Sequence, residues 1–239
     1  GAKGAAALCE CLLPANQHDA IPNPEKGFMG VIADWNDRET MRQRGSKGCL
    51  RSLKMRDCSL GSEAAQSIGK ELGRNPALIG LDLMQSGIGG TGVASVAVAL
   101  GSNPNYMVGY NTTLTYLNLQ GCEAFKSGAT HVGSMLKTNL FLQTLVFSDN
   151  AIAAEGATAI AEALKENESL THLKMAKNTI GDRGATALGD ALRHNRRLDK
   201  LDVSLNSIAE DGATEVARGL SRNATLSVVD FSQNSFGAA

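Results

Sequence analysis

From residue 50 onward, apolar and polar positions recur on a period of 28. With the first leucine of each unit set as position 0, units begin at Leu50, Leu78, Leu114, Leu142, Leu170, Leu198 and Leu226, spaced 28, 36, 28, 28, 28 and 28 residues apart. Each unit opens with apolar residues at positions 0, 3 and 5, as in LRSLKM, LIGLDL and LTYLNL. The alternation at 3 and 5 predicts a short strand whose successive side chains point to opposite faces. A second pattern follows, with small or apolar residues at 15, 18, 19 and 22, which fall on one face of a helix. Position 22 is Leu in all six complete units: Leu72, Leu100, Leu136, Leu164, Leu192 and Leu220.

The remaining fixed letters have mechanical roles. Position 8 is Asn150, Asn178, Asn206 and Asn234, or the small residues Cys58, Ser86 and Cys122. An amide there is predicted to bond backbone groups in the turn that no sheet ladder reaches, with the cysteines as structural substitutes rather than reactive thiols. Glycine at position 14 (Gly92, Gly128, Gly156, Gly184, Gly212) and Gly or Ala at 19 predict close approach between adjacent helices. Asn at position 25 (Asn75, Asn103, Asn139, Asn167, Asn195, Asn223) falls at the helix end, where a left-handed backbone is expected. One unit cannot bury its own apolar residues, but a stack shares a continuous interior.

This skeleton resembles the leucine-rich repeats of the ribonuclease-inhibitor type, also found in NOD-like receptors and several cytosolic regulators. The resemblance implies an α/β leucine-rich repeat solenoid, a curved horseshoe with a parallel sheet on the concave face and helices on the convex face. It covers residues 50–239, while residues 1–49 read as a partial repeat helix followed by an irregular insertion. GAAALCECLLPAN (4–16) echoes GATAIAEALKEN (156–167), and three prolines (Pro14, Pro22, Pro24) then mark a loop. FMGVIADWN (28–36) has the spacing of a degenerate strand unit. Eight extra residues, PNYMVGYN (104–111), are expected to project between a helix end and the next strand. Both ends of the chain fall inside a unit, so a fragment of a longer protein or assembly is expected.

Composition narrows the function classes. The formal net charge is -1, which gives no global attraction to nucleic acid or to an anionic membrane. No apolar run reaches the roughly 18 residues of a spanning helix. Five cysteines without a framework spacing favour reduced thiols and a cytoplasmic setting. Phosphate-loop, zinc-protease and nucleophile-elbow motifs do not occur. GIGGTGVA (87–94) looks like a phosphate cradle, but its glycines fall on positions 9, 11, 12 and 14 of a unit. Cys9 and Cys11, with His18 or Cys49, match no common zinc spacing. Asn111, Asn167 and Asn223 lie in N-x-[ST] sequences, of which two are repeat positions. No catalytic residue, metal site or cofactor is assigned.

Positions 1, 2, 4 and 6 are expected on the concave face, free of structural duty. Its early end is basic (Arg51, Lys54, Arg56), and its late end is acidic (Asp199, Asp202, Asp230), relieved by Lys200. Such a face suits protein recognition, with the scarce aromatics as anchors. The candidate contact residues are Arg56, Tyr116, Asn118, His172, Lys174, Asp202 and Asp230, with Tyr106 and Tyr110 from the extra loop. Trp35 is either a further anchor or packing for the irregular start. The leading expectation is a non-enzymatic scaffold for a protein partner. The resemblance also allows a regulator of a small GTPase similar to the Ran GTPase activators, the ligand-sensing part of a NOD-like receptor, or a part of a large assembly. The chain differs from the ribonuclease inhibitor in being nearly neutral and poor in cysteine.

Overall fold

The computed structural model describes residues 50–73, 75–101 and 111–236. Each unit supplies one three-residue strand, and six supply a helix: β1 (Ser52–Lys54), α1 (Gly61–Leu72), β2 (Gly80–Asp82), α2 (Gly89–Leu100), β3 (Tyr116–Asn118), α3 (Phe125–Thr138), β4 (Thr144–Val146), α4 (Ala153–Leu164), β5 (His172–Lys174), α5 (Gly181–His194), β6 (Lys200–Asp202), α6 (Glu210–Leu220) and β7 (Val228–Asp230). The strands form one parallel sheet in chain order. Register is constant, with Leu53, Leu81, Leu117, Leu145, Leu173, Leu201 and Val229 opposite one another along the sheet. The longer second unit does not shift it, since Leu81 still faces Leu117.

Each helix from α1 to α6 packs against its sequence neighbours. Strands repeat at about 4.8 Å, whereas packed helices need about 8–10 Å. The helix layer is therefore longer than the sheet, and the stack curves with the strands inside. Between the layers lies one apolar interior. The position-22 leucines from Leu72 to Leu192 are at most 1 % exposed, and Phe147 is the largest fully buried side chain. Phe236 departs from the expected inward position 10. It is 44 % exposed and meets Phe231 edge-on, because no described helix packs beyond it.

Close approach explains the small residues. A Cβ built on Gly156 would stand 2.8 Å from the Cβ atoms of both Ala129 and Ile152, and one on Gly133 would stand 2.6 Å from the Ala159 carbonyl oxygen. The turn after each strand is left-handed at position 7 in all seven units, from Asp57 to Gln233. Position 9 repeats this at Ser59, Gly87, Glu123, Ala151, Thr179 and Ser207. Gly87 and Gly89 thus take the repeat's own turn conformation (φ +61° and +67°), as Ala151 and Ala153 do two units later.

Two asparagine ladders join the units. At position 8, Asn150 Nδ2 donates to the Leu119 carbonyl at 2.8 Å, and its Oδ1 accepts the Cys122 N–H at 3.0 Å. Asn178, Asn206 and Asn234 repeat the pattern on the unit before each. Cys122 stands in for asparagine, its Sγ–H donating to the Leu83 carbonyl at 3.0 Å.

At position 25 the left-handed expectation is overturned among the described residues, which do not include Asn103. Asn139 and Asn195 are extended, with φ of -80° and -67°. Each uses its side chain instead. Asn139 Oδ1 accepts the N–H groups of Phe141 and Leu142, and its Nδ2 donates to the Leu100 carbonyl. In the longer unit this place belongs to Asn111, which accepts from Thr113 and Leu114 and donates to the Leu72 and Asn75 carbonyls. Asn111 is therefore part of the repeat frame and not of the extra loop. At 2 % exposed it is no glycosylation acceptor in the folded chain.

Candidate functional site

The strand face turned away from the helices carries the side chains of positions 2, 4 and 6. Constant register arranges them in rows. Gly80, Tyr116, Thr144, His172, Lys200 and Val228 run along one row, and Lys54, Asp82, Asn118, Val146, Lys174, Asp202 and Asp230 along the next. Tyr116 is 36 % exposed, Lys174 is exposed and His172 is half-buried, with Nδ1 2.9 Å from Thr171 Oγ1.

The expectation that these residues are free of structural duty fails at position 4. Asp82, Asn118 and Val146 are buried. At four of the position-4 places, Asp82, Asn118, Asp202 and Asp230, the side chain accepts the backbone N–H two residues on, whereas Lys174 stays exposed. Asp82 Oδ1 accepts the Met84 N–H, and Asn118 Oδ1 accepts the Gln120 N–H at 3.0 Å. Asp202 accepts both the N–H and the hydroxyl of Ser204. Asp230 does the same with Ser232, and those two bonds hold its carboxyl below the usual carboxylate range. These four side chains hold the backbone that follows each strand, in addition to whatever they contact.

At the β1–β3 end the face sinks into a hollow of about 430 Å³ lined by Arg51, Lys54, Arg56, Asp82, Gly80 and Tyr116, among others. Arg56 Nε and Nη2 both donate to Asp82 Oδ2, at 2.8 and 2.5 Å. Hydrogen bonding to Asp82, then its charge, holds the guanidinium above its ordinary pKa. Burial, and then the charge of Asp82, pushes the Tyr116 phenol up. The repeat frame contained the signal for this ion pair: position 6 of one unit lies diagonally across from position 4 of the next. Of the predicted contact residues, the hollow brings together Arg56 and Tyr116. His172, Lys174, Asp202 and Asp230 lie along the face on β5, β6 and β7. Tyr106, Tyr110 and Trp35 lie outside the described residues, as do Cys9, Cys11, His18 and Cys49.

Among the described residues no helix is long and apolar enough to cross a membrane. Two cysteines are described, Cys58 and Cys122, and both are free thiols. Burial pushes the Cys122 thiol up to about 11.

A sequence model of the family described as Leucine Rich repeat matches residues 110–126, 138–161 and 166–189. A ribonuclease inhibitor from Sus scrofa is 34 % identical over 106 residues, 44 % of this chain and 22 % of that protein. The aligned stretch therefore spans under a quarter of that relative's length. Among solved structures, the tropomodulin C-terminal domain of Caenorhabditis elegans matches with a TM-score of 0.51 at 16 % identity, over 66 % of this chain and 92 % of that one. Leiomodin-1 actin-binding site 2 matches with a TM-score of 0.43 at 17 % identity, over 80 % and 90 %. At its identity, the tropomodulin likeness is one of fold.

Proposed function

This chain is a leucine-rich repeat protein of the ribonuclease-inhibitor-like class, and from that premise we propose that it is a non-enzymatic scaffold holding a protein partner on its concave face. Leucine-rich repeats are protein-interaction scaffolds in general. The observation that supports the concave face is the contrast between its rows and the interior. The buried columns stay apolar throughout, and at position 3 keep leucine from Leu53 to Leu201, while the outward row through Gly80, Tyr116, Thr144, His172 and Lys200 repeats nothing. Fixed packing beneath a varied surface separates folding from recognition. Among the described residues both cysteines are free thiols, which fits a reducing, cytoplasmic setting.

Affinity capture from the native cell, followed by variants, tests this. Tyr116→Ala, His172→Ala and Lys174→Glu together are expected to weaken capture of the partner with an unchanged melting temperature. Undiminished capture would move the interface off this face.

A further inference from the structure

We infer that the hollow at the β1–β3 end of the concave face is a docking pocket for a carboxylate side chain of an acidic peptide segment in the protein partner. The inference rests on the concave-face reading above and names the chemistry of one part of it. The lining of the hollow is cationic. Three cations, Arg51, Lys54 and Arg56, line the hollow against a single carboxylate, Asp82. That carboxylate is already engaged by Arg56 through Oδ2 and by the Met84 N–H through Oδ1. The whole chain has a formal net charge of -1, so the positive excess is local to this end.

Arg56 is preorganised rather than consumed. Its bonds to Asp82 use two of the five N–H donors that a guanidinium carries, and its side chain is 47 % exposed. A fixed, partly exposed guanidinium can meet an incoming carboxylate with little further ordering.

The shape of the hollow also suits a peptide side chain. Gly80 leaves a gap in its row between Ser52 and Tyr116. A Cβ there would lie 3.5 Å from Ser52 Oγ and 3.9 Å from Tyr116 Cδ1, ordinary contacts, so packing does not demand glycine at this place. The absent side chain deepens the hollow. Tyr116, 36 % exposed, and Ile79, 39 % exposed, add apolar surface beside the cations. Carboxylate recognition beside apolar contact suits a peptide.

The far end of the face decides between anionic macromolecules. Asp199, Asp202 and Asp230 gather on β6, β7 and the residue before β6. A phosphate backbone or anionic bilayer laid along the sheet meets these acids, whereas a peptide that is acidic at one end only does not.

The test uses the full 239-residue chain and a fluorescent peptide carrying three glutamates around a leucine, read by anisotropy at low ionic strength. Expected is saturable binding that falls at least about tenfold when the glutamates become glutamines, and again in the Arg51→Glu, Lys54→Glu double variant. Gly80→Leu, which fills the hollow without changing charge, is expected to weaken binding while the melting temperature holds. Equal binding of the glutamine peptide, or wild-type binding by both variants, overturns the proposal. So does binding of single-stranded RNA or of phosphatidylserine vesicles that depends on the same residues. A second measurement separates this failure from failure of the broader reading. Partner capture that needs His172 and Lys174 but not Arg51, Lys54 or Gly80 leaves the face standing and removes the pocket. Capture that needs none of them removes both.

Discussion

Asn178 lies one unit beyond Asn150 and holds it in place, its Oδ1 accepting the Asn150 N–H at 2.9 Å. The same side chain donates to the Phe147 and Met175 carbonyls at 2.8 and 3.0 Å. One fully buried amide thus ties two units and closes its own turn. It sits between Lys177 and Thr179, both left-handed, a conformation that costs a non-glycine residue about 1–2 kcal/mol.

Asn178→Ala is expected to lower stability by about 2–4 kcal/mol, since it strands buried backbone groups that have no water to replace their partner. Urea unfolding measures it. A loss below about 0.5 kcal/mol would mean that the ladder is ornamental and that packing alone joins the units.

Gly133→Ala is expected to destabilise even though alanine is the better helix former by about 1 kcal/mol. The new Cβ would stand 2.6 Å from the Ala159 carbonyl oxygen and 2.9 Å from its carbon. Those are backbone atoms of the neighbouring helix and cannot rotate away, so α3 and α4 must separate. A melting temperature that rises in this variant would contradict the close packing.

Cys122 should resist alkylation in the native chain at pH 8 and react on unfolding, because burial raises its thiol to about 11. Cys58, half-buried with a thiol raised chiefly by burial, should react first of the pair. The linkage follows from the neutral form being the one the fold favours. The contribution of Cys122 is complete below the free-thiol pKa of about 8.5, declines as pH rises, and is lost through about 11. Peptide mapping after iodoacetamide treatment reads the first effect, and unfolding at pH 8 and pH 10 in wild type and Cys122→Ser reads the second. Equal labelling of both thiols would overturn the assignment.

The strands and helices were legible because their periods are written into every unit: 3 and 5 for the strand, 15, 18, 19 and 22 for the helix. Asn150 and its equivalents were legible too, since a polar residue recurring in an apolar frame must have a partner. The concave face was legible only in part. Lys174 is exposed while Asn118, at the same position two units earlier, is buried. The difference depends on which residues flank each in the next rows, and no single unit contains that information. The carboxylates of Asp82 and Asp202 turn back on their own backbone, and alternation alone does not reveal such folding back. Counting backward from Leu114 would have placed Asn111 correctly, three residues before the leucine just as Asn139 precedes Leu142.

Because every strand pairs with the next in one unvarying alignment, the chain is indifferent to how many turns it makes. Excising residues 142–169 would bring Leu173 beside Leu117 as Leu145 now is, and would give the Cys122 N–H the amide of Asn178 in place of Asn150. The molecule would lose about 4.8 Å of sheet and one column of its outward-facing alphabet, yet every remaining unit would keep the same kind of neighbours. Length is thus a dial that deletion or duplication of a whole 28-residue cassette can turn without redesigning the fold.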